Sequence, residues 1–160
     1  MAPDRANVYR VRATFRAPIK YVLNWCTDYS SKDAALEQDD FQRRVLQRSK
    51  NRVVYEDLYD TPSGWMWSHW TVTVHPPNLW HGESVGSHRR WSVDYRLKSL
   101  ADGRTELTLT GRRTPMGVAT KNPPKADLER GLTQTWRHFS KALDRDYRAS
   151  ERAGARRRAR

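Results

Sequence analysis

From Trp70 to Leu109, large apolar residues recur on alternate positions through four runs, and the turns between the runs return them to one face. Closing Pro76-Pro77-Asn78 sets Val74 against Trp80 and Val72 against Gly82. A loop of Ala101-Asp102-Gly103 sets Leu97 against Leu107 and Tyr95 against Leu109, with Lys98 opposite Glu106 and Arg96 opposite Thr108 on the other side. A two-residue turn at Gly86-Ser87 sets Trp80 against Val93 and Glu83 against Arg90. Trp70, Val72, Val74, Trp80, Trp91, Val93, Tyr95, Leu97, Leu107 and Leu109 then share one side. Such agreement commits the segment to an antiparallel meander with one core face and one solvated face.

The flanking segments supply what covers that face. Residues 8–16 alternate Tyr9, Val11, Ala13 and Phe15 with Arg10, Arg12, Thr14 and Arg16, the pattern of a half-buried strand. Pro18 then opens a short helix bearing Tyr21, Val22, Trp25 and Cys26, which breaks near Tyr29–Ser31 and resumes through Asp33–Glu37. After an irregular stretch, Pro115–Pro124, a long helix carries Leu128, Leu132, Trp136, Phe139, Leu143 and Tyr147 as a stripe, which needs the sheet's apolar face as its partner.

The strands before Trp70 admit two registers. If Pro62-Ser63-Gly64 is a three-residue loop with Gly64 left-handed, Glu56 and Leu58 point inward and Asp57 opposes His69 outside; this is the preferred register. A one-residue slip turns Tyr55, Asp57 and Tyr59 inward, with Phe41, Arg43, Val45 and Gln47 as the inner residues of the strand before.

With 160 residues the chain fits one core, and seven Trp, seven Tyr and three Phe are too many aromatics for a disordered basic protein. Thirty Lys+Arg against eighteen Asp+Glu give a net charge of +12, to which Arg152, Arg156, Arg157, Arg158 and Arg160 contribute as a terminal run. The predicted division is one folded domain over residues 1–150 and a basic, disordered tail over 151–160. The tail's expected partners are nucleic acid or an anionic membrane surface, met weakly and without specificity, or solvent alone.

Cys26 is the single cysteine, so no internal disulfide forms, and with five histidines it lacks the paired spacing of a structural zinc site. No run is apolar enough to span a membrane, and Met1–Arg10 has no signal-like apolar stretch. A cytoplasmic location is expected, with no metal and no cofactor. The sequence does not set the oligomeric state.

Strand, helix pair, long meander and one amphipathic C-terminal helix, with Ala17-Pro18 between the first strand and helix, Tyr55-Glu56-Asp57 on an early meander strand and the Gly103 hairpin of Leu100–Thr105, resemble the START-like, or SRPBCC, superfamily over about residues 7–150. The resemblance implies the α+β helix-grip fold: a strand, two short helices, and a curved antiparallel sheet of about six or seven strands wrapped around the last helix. It implies a deep apolar cavity for lipids, polyketides, quinones or similar ligands. It carries over no catalytic set, and the short, glycine-free loop Ser49–Arg52 departs from the plant-allergen branch.

Candidate ligand-binding residues are Trp70, Trp80, Trp91, Val93, Tyr95, Leu109, Leu132, Trp136 and Phe139, which are also plain core residues if the cavity is closed. Glu56, Ser68, Ser84, Arg89 and Arg113 are polar positions on the inner face in the preferred register. Of these, Glu56 and Arg89, with Tyr95, are candidate catalytic groups, and Tyr55 joins them after a slip. The simpler reading makes the arginines rim residues and Glu56 ion-paired or outward. His75 and His81 are diagonal neighbours on the outer face and read as surface histidines; Cys26 reads as a small buried hydrophobe.

The expected function is binding or transport of a small hydrophobic ligand between the sheet and the last helix, with binding favoured over catalysis. The alternative is an enzyme of polyketide cyclase/dehydratase type working in the same cavity. The third reading is a basic module that contacts nucleic acid.

Overall fold

A computed structural model describes residues 8–37, 41–62, 64–117 and 121–158. The elements are β1 (Val8–Phe15), α1 (Ile19–Cys26), α2 (Asp33–Glu37), β2 (Phe41–Arg48), β3 (Arg52–Thr61), β4 (Gly64–His75), β5 (Leu79–Gly86), β6 (Arg89–Ser99), β7 (Thr105–Pro115) and α3 (Lys125–Arg158). All seven strands form one antiparallel sheet in the order β1-β7-β6-β5-β4-β3-β2. Among the described residues no helix is long and apolar enough to cross a membrane.

The meander follows the alternation. Leu97 opposes Leu107, Tyr95 opposes Leu109, and Val74 opposes Trp80, as the turns require. The β5–β6 register differs by two residues: Trp80 opposes Tyr95, and Glu83 opposes Ser92 rather than Arg90. The reason lies in Ser87, whose N–H donates to the Trp67 carbonyl at 3.0 Å and whose hydroxyl accepts from the Trp67 N–H at 3.1 Å. Ser87 thus stays bound to β4 and the turn falls later. A two-residue difference leaves every side chain on its predicted face.

At β3–β4 the slipped register is the observed one. Thr61 pairs with Gly64, so two residues rather than three make the turn, and Gly64 adopts a φ of +112°. Tyr55 and Asp57 are buried and Tyr59 half-buried on the inner face, while Glu56 and Leu58 point outward. On β2 Phe41, Arg43 and Val45 oppose Tyr59, Asp57 and Tyr55, though Val45 is exposed; a bulge between Val45 and Gln47 then breaks the alternation, and Gln47 is exposed as well.

α3 lies along β1, an edge strand whose outward backbone groups need partners. Its side chains provide them. Glu129 accepts from the Arg10 N–H at 2.8 Å, Asp144 accepts from the Arg16 N–H at 2.7 Å, and the Ser140 hydroxyl donates to the Thr14 carbonyl at 2.6 Å. The match is geometric: six strand residues from 10 to 16 span about 20 Å, and fifteen helical residues from 129 to 144 rise about 22 Å. Trp136 and Leu143 are buried in the core behind this seam, with Leu128, Leu132, Phe139 and Tyr147 packed against it. The helix continues to Arg158, so residues 151–158, expected to be disordered, are helical. Ala149, Ala153 and Ala155 among arginines favour helix, and no proline stops it.

Candidate functional site

Between the inner face of the sheet, the two short helices and α3 lies a cavity of about 270 Å³. Each strand of the meander sends alternate residues to its wall: Trp70 from β4, Trp80 from β5, Trp91, Val93 and Tyr95 from β6, Leu109 from β7. Leu132, Trp136 and Phe139 of α3 close the opposite side. All nine predicted wall residues therefore meet at one cavity.

The rings are ordered against one another. Trp80 and Tyr95 stack at 4.7 Å with planes 3° apart. Tyr29, Tyr55 and Trp70 form a second ladder, with centroids 5.1 and 6.2 Å apart. Space for these rings comes from glycines on the inner face. A Cβ at Gly82 would lie 3.3 Å from the Trp70 ring, and one at Gly111 would overlap the Tyr9 hydroxyl. Tyr29 holds its place at a φ of +46°, an uncommon conformation for a tyrosine that packing on Tyr55 sustains.

One corner is polar, and its chief residues come from three elements. Arg43 of β2 faces Asp57 of β3 and donates Nε–H to Oδ1 at 2.7 Å and Nη2–H to Oδ2 at 2.8 Å. Its Nη1–H donates to Asp33 of α2, and Glu37 lies 4.0 Å away. Only 3% of the Arg43 side chain and 2% of the Asp57 side chain meet solvent, so each charge is compensated within the protein. The guanidinium also sits 4.2 Å above the Tyr55 ring centroid.

Burial sets the protonation of this corner. Desolvation pushes the Asp33 carboxyl up to about 6, against the opposing pull of Arg43. Burial alone would lower the Arg43 guanidinium, but its bonds to Asp57 and the nearby charges hold it above its ordinary value. Desolvation raises the hydroxyls of Tyr29, Tyr55, Tyr59 and Tyr95, which therefore stay protonated as hydrogen-bond donors. The Trp80 Nε1–H is buried without a hydrogen bond of normal geometry, and the Tyr29 hydroxyl is the group it approaches.

Of the candidate catalytic groups, Arg89 and Tyr95 line the cavity. Glu56 does not: it lies on the outer face, where its Oε1 is 3.4 Å from His69 Nδ1. The register difference that turns Asp57 inward turns Glu56 out. Arg89 and Arg113 flank Trp91, each 5.7 Å from its ring, and Arg113 is tied to Asn122. Burial, with Arg89 beside it, lowers the Arg113 guanidinium. The Ser84 hydroxyl is buried without a partner among the described residues, and Ser68 accepts from the Trp70 indole at 3.2 Å. Cys26 borders the cavity, and burial raises its thiol, which keeps it protonated. His81 pairs with Asp94 at 2.7 Å, and among the described residues no three potential ligands come together around a metal position.

The residues that sequence reasoning missed are Asp33, Arg43 and Asp57. The signal was present in the slipped register, which sets Arg43 and Asp57, two opposite charges, on the same inner face.

No family model matches the chain, and no curated protein matches it in sequence. Solved structures do resemble it. The Zhui aromatase/cyclase from Streptomyces sp. R1128 superposes with a TM-score of 0.64 at 14% identity over 96% of this chain and 95% of that one. A START superfamily protein from Mycobacterium smegmatis gives 0.60 at 12% identity over 86% and 94%. The lipid transfer and protein localization domain of human StarD13 gives 0.59 at 14% identity over 82% and 74%. These likenesses, together with the seven-stranded sheet gripping a long C-terminal helix, show that the chain has the START-like, or SRPBCC, helix-grip fold.

Proposed function

We propose that this chain is a cytoplasmic binding protein for a compact, mostly aromatic small molecule, held within residues 1–150. The observation that carries the reading is the cavity wall: stacked Trp and Tyr faces around about 270 Å³, with one compensated polar corner at Arg43, Asp57 and Asp33. Binding sites commonly combine apolar walls with a few fixed polar groups, and this volume lies just under the usual range of about 300–1,000 Å³. It favours a flat, ring-containing ligand over a long-chain lipid. Tyrosine hydroxyls held protonated supply donors to a ligand carbonyl or phenolate.

The test is native mass spectrometry of the purified chain, with extraction and identification of whatever it releases. A stoichiometric aromatic adduct is the expected result. A clean apo mass, with no thermal shift across polycyclic phenols, quinones and fatty acids, would reject the reading.

A second reading, catalysis of polyketide cyclase/dehydratase type, is favoured by one feature: Asp33 borders the cavity with its carboxyl at about 6, where a group both takes up and gives up protons near neutral pH. Turnover of the extracted ligand class, lost in Asp33→Asn while affinity persists, would distinguish an enzyme from a carrier.

A further inference from the structure

Opposite the apolar stripe of α3 runs a second stripe of a different kind. Arg130, Arg137, Lys141, Arg145, Arg148, Arg152 and Arg156 follow one another at three-, four- and seven-residue intervals, which keeps them on one side of a helix. All seven are exposed. From 130 to 156 the line rises about 39 Å at 1.5 Å per residue.

The acids of α3 are disposed so that they leave most of this line uncompensated. Glu129 and Asp144 are engaged with the β1 backbone, and Asp146 accepts from the Trp25 indole at 3.1 Å. Two bases of the line have carboxylate neighbours, Arg130 with Asp127 at 2.9 Å and Arg145 with Asp146 at 3.1 Å, both on exposed side chains. Arg137, Lys141, Arg148, Arg152 and Arg156 have no ion-pair partner among the described residues.

The far end of α3 also leaves the body of the protein. From Arg148 on, every described residue but Gly154 is exposed; Ser150 still meets the Tyr21 hydroxyl of α1, and the eight residues 151–158, about 12 Å of helix, project beyond it. That end carries Arg152, Arg156, Arg157 and Arg158 against the single acid Glu151.

We propose that this face of α3 binds the phosphate backbone of duplex DNA, with the projecting end entering the major groove. A free helix is about 10–12 Å across, the major groove of B-DNA is about 12 Å wide, and the charged line is slightly longer than one duplex turn of about 34–36 Å. Arginine's planar fork suits phosphate oxygens. The line holds no large apolar side chain to enter a bilayer, since those of α3 are committed to the core. A second copy of a chain at +12 repels the first. Recognition through phosphates is independent of base sequence.

The test uses the full chain and fluorescence anisotropy with a random-sequence 24-base-pair DNA duplex from 50 to 300 mM NaCl. About five phosphate contacts predict a log–log salt slope near −4.5. R148E/R152E/R156E is expected to weaken binding by at least 100-fold at 100 mM salt, whereas R12E/R96E/K98E, the same charge change on the outer face of the sheet, is expected to weaken it by less than threefold. R148Q/R152Q/R156Q supplies the comparison if the reversal disturbs the fold. No saturable binding at 50 mM salt, or equal losses in the two triple variants, would overturn the proposal. Stripe-dependent binding to phosphatidylserine vesicles without duplex binding would overturn it in favour of a membrane surface.

Discussion

Arg43 and Asp57 meet across β2 and β3 through two parallel hydrogen bonds of 2.7 and 2.8 Å, and both side chains are almost wholly withdrawn from water. Removing Arg43 strands the Asp57 carboxylate in a low-dielectric corner, whereas removing Asp57 leaves Arg43 bonded to Asp33. Arg43→Met is therefore expected to cost about 3–5 kcal/mol, whereas Arg43→Met with Asp57→Leu, which removes both charges, is expected to cost much less. Urea midpoints of the three proteins check this. Equal losses in the single and double variants would mean that the pair matters for its volume and not its charge.

Asp33 gives the same corner a pH dependence. Its carboxyl is raised to about 6 by burial, against about 3.9 in an unfolded chain. Between those values the native state holds a proton that the unfolded state has released. The contribution of this group is thus full below about pH 4, declines as pH rises to about 6 and is level above. The ceiling is about 3 kcal/mol for a shift of this size. Asp33→Asn cannot titrate, so its stability relative to the parent should improve by up to that amount between pH 4 and pH 6.5. Parallel stability–pH curves for the two proteins would dismiss Asp33 as the titrating group.

The same corner marks the boundary of what the sequence made legible. Around Ala101-Asp102-Gly103 the turn is unambiguous, and every pair from Tyr95–Leu109 to Lys98–Glu106 follows from it. At Gly86-Ser87 the predicted register is off by two residues, yet the cavity wall is unaffected, because a period of two forgives an even slip. At Pro62 a single residue decides between Glu56 and Asp57, and both alternating sets contain an acid and bulky apolar residues. Only the Arg43–Asp57 pairing, a contact between strands, separates them. Asp33 lay further out of reach, since it enters the site through the break between α1 and α2.

Trp136 serves core and cavity together. It is 7% exposed, packs edge-on against Phe139 at 5.2 Å and Phe15 at 6.4 Å, and turns its remaining side to the cavity beside Tyr95 at 5.9 Å. A ring packed on most of its surface loses most of its transfer energy on truncation, so Trp136→Ala is expected to cost about 3 kcal/mol, at the lower end for large aromatics. Calorimetry measures the cost, and a loss under about 1 kcal/mol would mean that the ring is not part of the packed core.

Two glycines separate steric need from helix propensity. Gly111 lies beneath Tyr9, whose ring packs edge-on to Trp91 at 5.3 Å, and a methyl group there collides with the Tyr9 hydroxyl. Gly111→Ala is expected to cost about 1–3 kcal/mol through overpacking, and to alter the near-ultraviolet signal of Trp91 because Tyr9 must move. Gly131, exposed on α3, has nothing within 4 Å of an added Cβ. There the same substitution relieves the entropic cost of glycine in a helix and should stabilise by about 0.5–1 kcal/mol. Thermal melts of the two variants should therefore move in opposite directions. A Gly111→Ala protein as stable as its parent would show that Tyr9 has room to withdraw, and that the cavity wall is less tightly fixed than its stacked rings imply.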